Sequence, residues 1–283
     1  MADLRLSARL TYDGGHSSNR YEAANPQRLP PAQLQSRMMF TFNQALMVCW
    51  LTPQVWHEAA LWHETNGAAE TAQQLYRKAL EVLPGSAALC LAYARFEESV
   101  GRLAEARALI EGLVAASPAP LNHIILMRFL RRTDGAAAAR AAFAAARKAE
   151  GCTWHVYLAA AQLEYQLGGG LGGEGEPASA SDADGATVAG RILALAFEKF
   201  ECDPAFTLHY VRFLGGLNDV TNMRAVLERS LLAPRGALSA ELWSAMLDVE
   251  LRCGGAHFGA RLRRASCAII LGESRRHLRG LPF

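Results

Sequence analysis

Much of what would mark an enzyme, a zinc protein or a membrane protein is missing from this chain. The six cysteines stand at positions 49, 90, 152, 202, 253 and 267, with no Cys-x-x-Cys pair. That scatter argues against a zinc site or a disulfide framework and suits a reducing compartment. No run of about 18 apolar residues occurs, so no membrane-spanning helix is expected. The opening MADLRLSARL lacks the continuous apolar stretch of a secretory signal. No serine sits in a nucleophile elbow, and no histidine accompanies a serine or cysteine in a recognisable catalytic motif. The glycine run at 168–175 is not followed by Gly-Lys-Ser/Thr and follows no strand, so it is not a phosphate loop. Strand-type alternation is absent as well. The net charge is only +2, well short of a bulk nucleic-acid-binding field.

Two His-Glu pairs, His57-Glu58 and His63-Glu64, invite a zinc reading. The metalloprotease arrangement needs histidines at i and i+4. Six residues of helix turn the side chain by roughly 240°, so one ion cannot take both, and packing or solvated roles are expected. No cofactor and no metal is expected anywhere in the chain, and no catalytic residue can be named.

What the chain does have is helical periodicity, 51% hydrophobic content and abundant alanine within the periodic stretches. Residues 89–114 read as two amphipathic helices. Leu89, Tyr93, Phe96 and Val100 share one face; after Gly101, Ala106, Leu109, Ile110, Leu113 and Val114 share another, with Glu105, Arg107 and Glu111 toward water. A hairpin of about thirty residues cannot bury enough surface to fold alone, and the chain supplies copies. Second helices align on Arg37, Gln73, Arg107, Arg140, Arg191 and Arg224. First helices align on Glu64, Glu97, Leu130, Glu164, Leu214 and Glu250, at intervals of 33, 33, 34, 50 and 36 residues. Two independent anchors on one beat mark a solenoid of helical pairs. The recurrent arginine is expected to pair with an acid of a neighbouring helix, a structural role favoured over a basic stripe for RNA.

The single long interval maps to GGGLGGEGEPASASDADG at 168–185, which is Gly/Ser/Asp-rich and nearly free of apolar residues. It reads as a disordered insertion, spanning 168–186, between the two helices of one repeat. The domain reading is therefore a disordered segment at 1–19, an all-α solenoid at 20–253 with about six helix pairs and a partial first one, and a divergent tail at 254–283. Residues 251–283 carry seven arginines against Glu273, a charge of +6 that leaves −4 for the rest. Arg261, Arg263, Arg264, Arg275 and Arg276 are weak candidates for nucleic-acid contact.

The helix at 206–214 is apolar nearly all round, interrupted only by Thr207, His209 and Arg212. Such a helix needs cover on more than one side. Either its stacking neighbours supply it, or a twofold partner does. Phe206, Tyr210, Phe213 and Leu214, flanked by Trp243 and Met246, are the candidate dimer or partner surface. Phe96, Phe143, Trp154 and Trp243 are expected on buried stripes.

A first helix with Trp and a terminal Glu, then a second helix with Arg and an aromatic or aliphatic residue three further on, resembles the HAT (half-a-TPR) repeat. The ordered segments YEAANP (21–26), RMMFTFNQALMV (37–48), VWHEAALWHE (55–64), LAYARFEES (91–99), MRFLRRTDG (127–135), HVYLAAAQLEY (155–165), YVRFLGGLNDVTNMRAVLERSL (210–231) and ELWSAMLDVE (241–250) resemble the suppressor-of-forked family. Its members are HAT-repeat scaffold subunits of the cleavage stimulation factor in pre-mRNA 3′-end formation. The likeness starts part-way through a repeat and stops beyond Cys253, so it covers what in the family is the C-terminal, dimerising HAT half. The family's N-terminal repeats and proline-rich region have no counterpart here, which suggests a fragment, a shortened gene model or a paralogue. The resemblance implies a non-enzymatic nuclear scaffold, a homodimer that docks other cleavage and polyadenylation subunits, with RNA mainly indirect. No membrane and no small-molecule substrate is implied. The alternatives are a HAT scaffold in splicing or ribosomal RNA processing, or direct RNA binding through the basic tail.

Overall fold

The structure, a computed structural model, describes residues 21–168 and 185–253. The expected 1–19 segment, most of the insertion and the 254–283 tail with its five candidate arginines lie outside the described residues. Among the described residues every regular element is a helix, and none is long and apolar enough to cross a membrane. The chain divides into two compact units at Thr133/Asp134.

The first unit holds α1 (Pro31–Cys49), α2 (Pro53–Thr65), α3 (Ala69–Val82), α4 (Ala87–Ser99), α5 (Leu103–Ala116) and α6 (Pro120–Thr133). The second holds α7 (Ala136–Ala146), α8 (Trp154–Gly168), α9 (Gly185–Phe200), α10 (Pro204–Gly216), α11 (Val220–Leu232), a single turn α12 (Pro234–Ala237) and α13 (Ala240–Cys253). The pairs α2/α3, α4/α5, α8/α9 and α10/α11 pack as hairpins. The turn α12 was not foreseen in the sequence.

Local chemistry explains where the helices start and stop. Pro occupies the first turn of α1, α2 and α10, where its missing N–H costs nothing. Asp203 caps α10 by accepting from the Ala205 and Phe206 amides, and Asp219 caps α11 by accepting from Asn222. Between the two helices of a pair the chain must pass through left-handed backbone. Gly67, Gly101 and Gly135 do so at φ +77°, +87° and +86°, and Asn218 takes the equivalent place at +59°. Gly168, where the insertion begins, ends α8 at the corresponding point of its repeat.

The cores follow the repeat. Ala72, Ala106 and Ala139 each precede a second-helix anchor and are buried, and Ala59, Ala60 and Ala79 are also fully buried, letting helices approach closely. Tyr76, Tyr93 and Phe96 fill the space between pairs, with Tyr76 and Tyr93 stacked at 5.5 Å. In the second unit Tyr157, Leu193, Phe197, Phe206, Leu227 and Leu242 belong to one continuous cluster. Val100, placed on the apolar face by periodicity, is exposed, because it caps α4 beyond the packed stripe. Of the four aromatic core candidates only Phe96 is fully buried; Phe143 and Trp154 are half-buried at the margin of the cluster, and Trp243 is half-buried on α13.

Candidate functional site: the interaction faces of the repeats

The anchors read from the sequence meet one another. Gln73 on α3 donates to Glu97 on α4 at 2.9 Å; Arg140 on α7 grips Glu164 on α8 with two bonds of 2.8 Å; Arg224 on α11 donates to Glu250 on α13 at 2.9 Å. In each case the second helix of one pair reaches the first helix of the next. The carboxylates of Glu97, Glu164 and Glu250 are buried, and hydrogen-bonded donors offset their desolvation. Where the acid is replaced by Leu130, Arg107 turns to Glu111 one turn along its own helix, at 2.8 Å. Arg37 pairs with Glu22 at 3.0 Å. Arg140 and Arg224 thus make the expected pair with an acid of a neighbouring helix, whereas Arg107 pairs within its own helix and Arg191 is exposed. Additional bridges, Arg132 to Glu98 and Arg229 to Glu201, join helices at the surface.

The His-Glu pairs separate as the helical angle demands. His57 Nδ1 shares a 3.0 Å hydrogen bond with the hydroxyl of Tyr76, whereas the buried His63 lies edge-on to Trp62. Burial lowers the His57 pKa, and Arg95 adds to this against Glu58 and Glu64. Burial alone lowers His63. Burial and then Glu64 push the Tyr76 phenol up to about 12. Both rings are therefore neutral near pH 7 and serve packing.

The candidate partner surface is corrected by the structure. Phe206 is 0% exposed, and Tyr210, Leu214 and Met246 are buried with it in the core of the second unit. Phe213 and Trp243 are half-buried; the Trp243 indole donates to the Ala237 carbonyl at 3.0 Å. The cause is topological: α10 touches α9, α11 and α13, so its own chain covers nearly its whole circumference. Arg261, Arg263, Arg264, Arg275 and Arg276 lie outside the described residues.

Other faces are open. On α1, Phe40, Met47 and Val48 are exposed, Met47 at 81%, as is Leu51 just beyond the helix, and Phe40 lines an open recess of about 580 Å³ with Gln33 and Arg37. The signal was present in the sequence, where apolar residues run round α1 without a break from 45 to 51 apart from the cysteine. In the second unit Leu232, Leu238 and Leu251 are exposed, Leu232 at 85%. Along α8 and α10, His155, Gln162, Tyr165 and Arg212 are exposed.

Helical pairs on a 33–36-residue beat, tied by a second-helix cation to the next first-helix carboxylate, define a HAT/TPR-like repeat fold. Comparison with known proteins agrees. Residues 18–262 match the family model described as suppressor of forked protein (Suf), and the chain belongs to that family. It is similar to cleavage stimulation factor subunit 77 of Arabidopsis thaliana, 35% identical over 83% of this chain and 30% of that protein. It is similar also to the mRNA 3′-end-processing protein rna14 of Schizosaccharomyces pombe, 24% identical over 94% of this chain and 40% of that one. The suppressor of forked protein of Drosophila melanogaster is 25% identical over 88% and 38%. The chain therefore spans about a third of the length of these relatives. A crystal structure of CstF-77 shares the fold, with a TM-score of 0.68 at 18% identity over 98% of this chain and 63% of that one.

Proposed function

We propose that this chain is a non-enzymatic nuclear scaffold of pre-mRNA cleavage and polyadenylation, which dimerises and docks other subunits of that machinery through its repeats. The observation that carries the reading is the suppressor-of-forked match over nearly the whole repeat region, with relatives named for 3′-end processing. The architecture supports it. The buried carboxylates Glu97, Glu164 and Glu250 serve to join helices, and the exposed apolar residues of the repeats lie on helix faces open to a partner. Homodimerisation draws on the resemblance, with the exposed Leu232, Leu238 and Leu251 of the second unit as apolar side chains open to a partner; the covered face of α10 no longer contributes. Affinity purification from nuclear extract is the test of the pathway. Recovery of other cleavage and polyadenylation subunits is the expected result; splicing or ribosomal-RNA-processing proteins in their place would overturn it. Light scattering at tens of micromolar tests the dimer, and a monomer mass would remove it.

A further inference from the structure

At the seam between α8 and α10 in the second unit, aromatic rings and an arginine come to the surface together, and the one carboxylate beside them, Asp203, is engaged by the Trp154 indole. Trp154 lies under His155, their rings stacked at 3.7 Å, and its other neighbours are His209 at 5.3 Å and Phe206 at 5.9 Å. Eleven residues along α8, Tyr165 meets Phe213 edge-to-face at 5.6 Å and remains 43% exposed. Two ring platforms thus stand about 16 Å apart along one helix. The exposed Arg212 projects from α10 near the Tyr165 end. α10 contains no acidic residue. The one acid of α8, Glu164, is turned away into its pair with Arg140, and Asp203 is held by the Trp154 indole and by backbone amides.

We infer that this seam is a contact site for single-stranded RNA, with bases stacking on His155 and Tyr165 and a phosphate meeting Arg212. Sequence-tolerant single-strand binding needs a π-face for each base and a cation beside the backbone. The 16 Å span suits a short run of nucleotides at an extended spacing. The first unit shows the contrast. Arg95 and Arg128 are exposed on α4 and α6, but Tyr93, Phe96 and Phe129 on those helices are buried, so a cation is present there without a stacking surface. A proline-rich peptide could also lie on aromatic rings, but an exposed arginine, with Asp203 and Glu164 both engaged by other donors, favours a polyanion. The site is separate from the arginines of residues 251–283, and it neither requires nor replaces the scaffold role.

The test is fluorescence anisotropy of the full chain with a labelled twelve-nucleotide uridine RNA and with an abasic strand of the same length. Tyr165→Ala and His155→Ala should each weaken uridine binding about tenfold, the lower range for loss of one base–aromatic stack. Neither should change binding of the abasic strand by more than about twofold, and Tyr165→Phe should retain parental affinity. Arg212→Gln should weaken both strands and reduce the slope of log affinity against log salt by about 0.7. All these positions are solvent-exposed, so unchanged thermal unfolding accompanies the expected result. Three outcomes overturn the inference: no binding at about 100 μM protein; RNA binding that none of the three variants alters, which assigns it to the basic tail; or binding of a proline-rich decapeptide that the variants abolish while RNA binding stays unchanged.

Discussion

Arg102→Met is the most informative perturbation of the repeat. Glu97 is 0% exposed, yet it carries a carboxylate beneath the turn between α4 and α5. Its partners are the Gln73 amide, the Tyr93 hydroxyl and the Arg102 guanidinium, which meets it as an ion pair without an aligned hydrogen bond. Removing Arg102 leaves a charge enclosed with neutral donors only. Breaking a buried pair in this way costs about 3–5 kcal/mol. Arg102 is itself about one-third exposed, and the bond is poorly aligned, so about 3 kcal/mol is the expected loss. With a urea slope of about 2 kcal/mol/M, the midpoint of the first unit should fall by about 1.5 M. The neighbouring repeat shows the remedy, because Leu130 fills the corresponding position and is buried without any ion pair. The double variant Glu97→Leu/Arg102→Met should therefore recover most of the loss and end within about 1 kcal/mol of the parent, as apolar replacements of buried pairs often do. Gln73 would lose its best acceptor but remains partly exposed and near Glu105. Urea unfolding followed by circular dichroism, with hydrogen exchange on peptides from α3 to α5 to isolate the first unit, measures both. A double variant as unstable as the single one, or a single variant within about 0.3 M of the parent, would refute the reasoning.

Phe206→Ala should cost about 3–5 kcal/mol, since its ring is wholly enclosed by α8, α9 and α10; calorimetry should show a fall of about 10 °C, and a change under 3 °C would contradict its burial. Gly101→Ala should destabilise by about 1 kcal/mol or more because φ is +87° although space is free, and Gly101→Asn should cost less; urea midpoints that rank the two the other way would count against the turn. His63 has its folded pKa lowered by burial from 6.5, so the unfolded chain binds more protons. The stability it contributes is present above about pH 6.5 and is lost as pH falls toward the folded value. The melting temperature should thus drop between pH 7.5 and 6.0, and drop less in His63→Leu; equal slopes would exclude the ring as a source.

The anchors were legible because they recur on a fixed beat in two independent series, so spacing alone called for a cation on one helix to meet an acid on a neighbour, as Arg140 and Arg224 meet Glu164 and Glu250. The turn at Gly101 was legible as a break in the apolar pattern, whereas those at Gly67 and Gly135 emerge only from the backbone. The face of α10 was misread because periodicity reports how much of a helix is apolar, not how many neighbours it has. With α9, α11 and α13 around it, an all-round apolar helix is what an interior position requires. Trp154 and Trp243 were placed too deep because each indole N–H must reach a polar group, Asp203 and the Ala237 carbonyl, which keeps one edge at the core's margin. The α8/α10 seam could not be read at all: His155 and Tyr165 belong with His209 and Arg212 only after forty-odd residues have folded back.

Three of the buried anchor contacts run from the second helix of one pair to the first helix of the next. Within a hairpin the two helices pack along their length, whereas the joint between hairpins adds a polar tie from an anchor to the next first helix. For anyone recombining such repeats, the two kinds of cut therefore cost different things. A segment that begins with a second helix and ends with the following first helix keeps its anchor and acid together but gives up hairpin packing, whereas a whole hairpin keeps that packing and leaves half of each anchor contact behind. The long stretch after Gly168 is placed accordingly, between α8 and α9, where extra chain length separates no anchor from its acid.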